Sequence, residues 1–296
     1  MKRVLINILI ILAIVVACDL VAGFIGNKML LSTPDVGTLQ TDAYQAMFKK
    51  NADVLILGSS RARHSYEPRM ITDSTGLTAY NAGIDGHGMN YALIVLQSFL
   101  ERCKPKVVVL DVCAAMVTDE WLNNSIDDVK QFYGLNTPLT KYVNDLGTWQ
   151  LKTKLHSNLY RLNSTITWMA KARALPTRIC DGYEPQFGNL TDTATINFTN
   201  FQTNDIQVKC FDEIIETCKN NNIELLVYIA PSLEVTAKFQ TWMNDYCKNH
   251  SIVLKDYGCS PLFFNSRNKY FNDSDHLNED GAKILTNILI QNLKEK

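Results

Sequence analysis

Five short runs along this chain carry little charge and are rich in β-branched residues. They are DVLILG (53–58), LTAYNAG (77–83), KVVVLDV (106–112), IELLVYIAP (223–231) and IVLKDY (252–257). The first, third and fourth show no alternation between apolar and polar positions. A strand that is apolar on both sides is buried on both sides, which is the condition of a parallel sheet covered by helices. The segments between the runs have helical spacing. TDAYQAMFKK precedes the first run, and MNYALIVLQSFLERC (89–103) places Leu93, Leu96 and Leu100 on one face. DIQVKCFDEIIETCKNNN (205–222) gathers Val208, Phe211, Ile214, Ile215 and Cys218 on one side. LEVTAKFQTWMNDYCKNH and NEDGAKILTNILIQNLKEK supply the last two helices. The pattern predicts an α/β fold: a three-layer α/β/α sandwich around a five-stranded parallel sheet. In such sheets ligands bind beyond the carboxyl ends of the strands.

Residues 118 to 204 break this rhythm. Two polar, irregular stretches flank WQLKTKLHSNLYRLNSTITWMAKARA, which reads as helical. The organisation expected is therefore a segment 1–26, a linker and first helix over 27–51, and a domain over 52–296 with an insertion at about 118–204. The insertion reads as a lid or substrate platform, or as a plain surface excursion. Its aromatics Trp121, Phe132, Tyr133, Trp149, Trp168 and Tyr183 either stack on sugar rings or form a small core of their own.

The amino terminus is a separate problem. Met1-Lys2-Arg3 precedes an apolar run from Val4 to Cys18, and after Asp19 apolar character resumes through Gly26. A bilayer core needs about 20 residues of helix, and a basic start places that start inside. Three readings fit: a retained transmembrane helix, a lipoprotein signal at VVAC (Val15 to Cys18), or a cleaved signal peptide. All three put the remainder outside the cytoplasm, periplasmic or at the cell surface, and the first two tether it to the membrane.

Lys and Arg number 29 against 30 Asp and Glu, so no basic excess points to nucleic acid. The eight cysteines include no CxxC and no Cys/His cluster, which argues against a zinc site. Most read as buried free thiols acting as small hydrophobes.

The residues that could carry chemistry lie at strand ends. VLILGSSRARHS runs from an apolar strand into Gly58, Ser59 and Ser60. NAGIDGHG follows the second strand, and NDSDHLN stands just before the final helix, with Asp273 three residues ahead of His276. That spacing lets one loop present an imidazole while the carboxylate holds its other nitrogen. A GxSxG elbow is not matched, because Gly58-x-Ser60 is followed by x-Ala62. GxxxxGK[ST] does not occur.

These three phrases, in this order, resemble the SGNH/GDSL hydrolase superfamily over about residues 52–116 and 206–296. LGSS stands where that family has Gly-Asp-Ser, with Ser59 in place of Asp. The resemblance implies the flavodoxin-like SGNH fold and a serine esterase or O-acyltransferase. It implies Ser60 as nucleophile, His276 as base and Asp273 as its orienting acid, with the amides of Ser60 and Gly86 receiving the oxyanion. No cofactor and no metal belongs to that chemistry. The GSSRA phrase and the N-terminal anchor resemble membrane-tethered members near the D-alanine transfer and alginate O-acetyltransferase proteins. That likeness implies an acylated carbohydrate or cell-envelope polymer as partner. One departure stands out: the Asn expected after the third strand is replaced by Ala115. A catalytically inactive glycan-binding or assembly subunit is the reading that this loss favours, and Asn90 or amides of the insertion are candidate substitutes. Arg61, Arg63 and His64 read as a solvated first helical turn or as a basic rim for an anionic polymer. Asp85 and His87 read as loop polarity or substrate contacts, Asp111 and Asp256 as structural.

Overall fold

A computed structural model describes residues 1–163, 165–176, 181–191 and 201–295, the side chain of Leu39 excepted. Cys180 and residues 192–200 of the expected insertion lie outside the described residues.

The five expected runs form strands β1 (Val54–Leu57), β2 (Ala79–Asn81), β3 (Val107–Asp111), β4 (Glu224–Ile229) and β5 (Leu254–Asp256). All pair in parallel, in the order β2-β1-β3-β4-β5. This is the flavodoxin-like doubly wound order, whose switch point lies between β1 and β3. Ser60 comes three residues after the end of β1, past Gly58 and Ser59, so the strand delivers it to that crevice.

The sheet is apolar on both faces for the reason the sequence gives. Val54, Ile56, Val107, Val109 and Tyr228 point to one side. They pack there with Ile71 of the Pro68–Thr75 helix and with Leu285 and Leu289 of the C-terminal helix, Glu279–Lys294. The alternate residues Leu55, Leu57, Val108, Leu110, Val227 and Ile229 are equally buried. They serve the opposite layer, built from the Met89–Leu100 and Asp205–Asn220 helices, which pack on one another. Met89–Leu100 is buried nearly all round, not along the one stripe its leucines imply. In Asp205–Asn220 the buried side is Gln207, Cys210, Phe211, Ile214 and Cys218, with Val208 and Ile215 half-buried.

The chain divides into two compact units, residues 42–127 with 180–296, and residues 1–41 with 128–179. The first holds the whole sheet. In the second, the segment expected as one helix from Trp149 is broken into Trp149–Leu155, Asn158–Arg161 and Thr165–Ala174. The break comes where Ser157 accepts a hydrogen bond from the Tyr160 amide and starts a new helix. A further helix, Thr137–Leu146, starts at the end of the first irregular stretch and fills the segment before Trp149, capped by Asn136 with Pro138 in its first turn.

The amino terminus is one helix, Lys2–Leu31, long and apolar enough to cross a membrane. Its second half is built into its own unit. Asp19 accepts hydrogen bonds from Ser157 Oγ (2.7 Å), Asn158 N (3.1 Å), Asn158 Nδ2 (3.0 Å) and Leu159 N (2.9 Å). Gly23 and Gly26 lie so close to Asn158 and Leu162 that a Cβ at either would overlap those side chains. Arg161 donates to Asn27 Oδ1 at 2.8 Å, and Arg173 to Met29 O at 2.6 Å.

No described cysteine is disulfide-bonded. Cys113, Cys210, Cys218 and Cys247 are buried, and burial pushes the Cys210 and Cys218 thiols up to about 12 and Cys247 to about 11. Cys18 and Cys259 are exposed.

Candidate active site

Gly58 ends β1 with φ +153°, a backbone setting that L side chains rarely adopt. An added Cβ there would stand 2.7 Å from Ala62 Cβ and 2.8 Å from the Asp111 carbonyl oxygen. The glycine thus lets the chain turn sharply against β3. Ser59 precedes a short helix, Ser60–Ser65, without a side-chain capping hydrogen bond, and Ser60 is the first helical residue. Its amide, like other first-turn amides, has no partner within the helix.

The loop before the last helix is organised by Asp273. Its Oδ1 accepts hydrogen bonds from the amides of Asp275 and His276, both at 2.8 Å. That turn folds the imidazole back over the carboxylate. His276 Nδ1 lies 3.0 Å from both Asp273 oxygens. Since a carboxylate only accepts, Nδ1 carries the proton and Nε2 presents its lone pair. Nε2 lies 2.8 Å from Ser60 Oγ, which donates to it across 216 positions of sequence. Asn278 fixes the other end of the loop: it caps the last helix at Gly281 N and donates to the carbonyls of Gly188 and Lys269.

A second carboxylate reaches the same imidazole. Asp275 Oδ2 is 4.0 Å from His276 Nε2, while its Oδ1 meets Arg61 Nε at 2.9 Å and accepts from Ser232 Oγ at 2.7 Å. Burial alone would push the His276 imidazolium towards losing its proton. The hydrogen bond to Asp273 and the charges of Asp275 and Asp273 outweigh it, so the pKa is raised. For Asp273, burial works upward, yet the His276 hydrogen bond and charge hold the carboxyl well below the usual range.

Gly86, in the turn after β2, has φ +70° and room around its Cα. The Gly86 amide donates to no described group. Gly83, not Gly86, is the glycine wedged against the Ser59–Ser60 turn, with a Cβ position 2.7 Å from Arg63 N and 2.9 Å from Ser59 O. Asn90 is committed elsewhere: its amide donates to the Leu122 carbonyl at 2.9 Å and its Oδ1 accepts from Tyr91 N.

Arg61, Arg63 and His64 are neither a solvated turn nor a rim; all three are buried. Arg63 pairs with Asp42 and Glu184, each at 3.0 Å. His64 Nδ1 lies 2.6 Å from the Glu184 carbonyl, and Nε2 lies 3.4 Å from Asp85 Oδ1. Its ring stands edge-on to His276, centroids 5.4 Å apart. The donor atoms of His64, Asp85 and Glu184 lie within 4.8 Å of one another. Arg63 already holds one of these carboxylates, that of Glu184. His87 is fully buried against Tyr91. Asp111 accepts from Tyr66 OH at 2.5 Å, and burial, offset in part by Tyr66 and Arg61, raises it to about 6. Asp256 accepts from Gly258 N and Gln240, in keeping with a structural role.

A cavity of about 340 Å³ opens beside the Arg61–Asp275 pair, with Cys113, Ala115, Trp121 and Glu234 in its walls. Sequence reading had no signal for Arg61, Ser232 and Asp275 as a group, beyond the presence of Asp275 inside the NDSDHLN phrase.

No family model matches the chain, and no curated protein matches it. Among solved structures, a GDSL-like lipase from Bacteroides thetaiotaomicron VPI-5482 is 12% identical, with TM-score 0.41 over 82% of this chain and 87% of that one. A candidate acylhydrolase from Bacteroides fragilis NCTC 9343 is 13% identical, with TM-score 0.43 over 88% of this chain and 98% of that one.

Proposed function

We propose that the protein is a serine ester hydrolase or O-acyltransferase of the SGNH/GDSL type, working through a covalent acyl-enzyme on Ser60. The observation that carries this reading is the continuous hydrogen-bonded line from Ser60 Oγ through His276 to Asp273. His276 Nε2 takes the Ser60 proton as Oγ bonds to the ester carbonyl carbon. The carbonyl electron pair moves to oxygen, where the free amides of Ser60 and Gly86 receive it. Collapse expels the alcohol, which leaves with the proton from His276. Asp273 keeps the imidazole in the reactive tautomer and stabilises its charged form. Water as the second acceptor gives an esterase; a sugar hydroxyl gives an O-acyltransferase.

The substrate class is an acyl ester of a cell-envelope glycan or related carbohydrate, met outside the cytoplasm. The contacts of Asp19, Gly23, Gly26 and Asn27 with residues 157–162 support a retained N-terminal helix. A cleavage beyond Gly26 would strip four hydrogen bonds from the start of the Asn158–Arg161 helix. The replacement at Ala115 favours a second reading, an inactive glycan-binding or assembly subunit on the same fold.

A fluorophosphonate probe tests the first reading. It is expected to label the parent protein at Ser60 and to leave Ser60→Ala unlabelled. Turnover of p-nitrophenyl acetate without a sugar marks the esterase, and sugar-dependent acyl consumption marks the transferase. A parent protein that is neither labelled nor active, yet binds polysaccharide, is the inactive subunit.

A further inference from the structure

Arg61 stands immediately after the proposed nucleophile and is only 6% exposed. A buried guanidinium is costly unless its donors are matched. Asp275 Oδ1 lies 2.9 Å from Nε as an ion pair, without the alignment of a hydrogen bond. Nη1 is buried and makes no hydrogen bond with any described residue. The side chain lines the cavity of about 340 Å³ whose wall also contains Ala115. That wall, just after β3, is where the resemblance leads one to expect a side-chain amide donor. The cation is also close enough to the reacting centre for its charge to act on His276.

We infer that Arg61, through its guanidinium, is the side-chain donor to the oxygen of the bound ester, supplying from the nucleophile helix what Ala115 does not supply from the third strand. The inference rests on the acyl-transfer reading of Ser60. The site takes a substrate oxygen that gains negative charge in the reaction. As the Ser60 Oγ–carbon bond forms, the carbonyl electron pair shifts to that oxygen and faces a fixed positive charge. Arg61 gives up no proton; the proton from Ser60 goes to His276. Asp275 has the complementary duty. Its Oδ1 lies 2.9 Å from Nε and balances the guanidinium charge beside the cavity, and it is itself held by Ser232. A guanidinium suits this task because its planar fork can serve a carboxylate with one edge and a substrate with another.

A double-variant cycle separates donation from mere support of Asp275. The parent, Arg61→Met, Asp275→Asn and the pair together are compared in p-nitrophenyl acetate turnover and in the rate of fluorophosphonate labelling. Loss of one oxyanion donor lowers kcat by about 10²–10³. That fall is expected in Arg61→Met with little change in KM, and again when Arg61→Met is added to Asp275→Asn. Overturning results are Arg61→Met within threefold of the parent, or a pair no slower than Asp275→Asn alone. If Arg61→Met does not fold, Arg61→Lys keeps the charge beside Asp275 without the fork. A kcat lowered tenfold or more at an unchanged pH profile then supports donation, and an unchanged kcat overturns it. A parent that is never labelled at Ser60 instead overturns the acyl-transfer reading, and this inference with it.

Discussion

Asp275 Oδ2 lies 4.0 Å from His276 Nε2, the same nitrogen that meets Ser60 Oγ at 2.8 Å. The imidazole is therefore bracketed by two carboxylates, Asp273 at Nδ1 and Asp275 near Nε2. Arg61 offsets part of this field, and His64 and Asp85 lie behind the ring. The net effect is a base that holds its proton more tightly than an ordinary histidine.

That balance fixes a pH profile. The proposed reaction needs neutral His276, so kcat/KM is expected to rise with pH, with its midpoint above the ordinary histidine value of about 6.5. Asp275→Asn removes one negative charge and moves the midpoint down. The same shift appears in stability with a definite sign. A group whose pKa is raised by folding adds stability that is complete below the unfolded pKa and fades as pH climbs through the folded one. Urea unfolding of parent and His276→Gln across pH 5 to 9 reads this: the gap is expected to be widest at the acid end and to narrow upward.

In the proposed reaction Asp273 orients rather than transfers. Asp273→Asn keeps the side-chain size but presents an amide to Nδ1, so the wrong imidazole tautomer is favoured. The expected loss in kcat is about 10²–10⁴ with KM little changed, the upper end being that of a buried triad acid. The lower end applies because the Asp273 side chain is half exposed. Steady-state kinetics on a chromogenic ester checks it, and a KM change without a kcat change would sink the assignment.

The sheet was legible because β1, β3 and β4 are apolar on both faces, which leaves no other placement for VLIL or VVVLD. The Asp273–His276 pairing was legible because it is local: one carboxylate collects the amides two and three residues ahead. The burial of Arg61, Arg63 and His64 was not. Their partners Asp275, Asp42 and Glu184 come from remote segments, and basic residues at 61, 63 and 64 look solvated until those carboxylates arrive. The broken helices of 149–174 were missed because Ser157 sits inside an otherwise helical pattern, and its capping role depends on Asp19 far upstream.

Gly58 carries the turn that presents Ser60, and its replacement is costly for two reasons. Alanine there is strained at φ +153°, and its Cβ meets the Asp111 carbonyl, a backbone atom that cannot step aside. Overpacking of this kind costs about 1–3 kcal/mol. Gly58→Ala is expected to lower the urea midpoint accordingly and to lose activity beyond the loss of folded protein. Gly76→Ala makes the comparison: it also has positive φ but nothing within 4 Å of the added Cβ. Its strain should appear in stability, with activity per folded molecule unchanged.

Asp19 decides whether the first helix is a mere leader or part of the folded protein. Four donors from Ser157, Asn158 and Leu159 converge on its carboxylate. Two of them are backbone amides at the start of the Asn158–Arg161 helix, where a negative charge is favoured. Hydrogen bonds to a charged group are worth about 1.5–3 kcal/mol in favourable settings. Asp19→Ala in detergent-solubilised full-length protein is expected to open residues 155–163 to proteolysis and to faster amide exchange. Turnover by the sheet-bearing unit should persist. Exchange at the Asn158 and Leu159 amides is the direct readout, since these lose their acceptor outright; protection unchanged from the parent would mean that the first helix stands apart from the chain it accompanies.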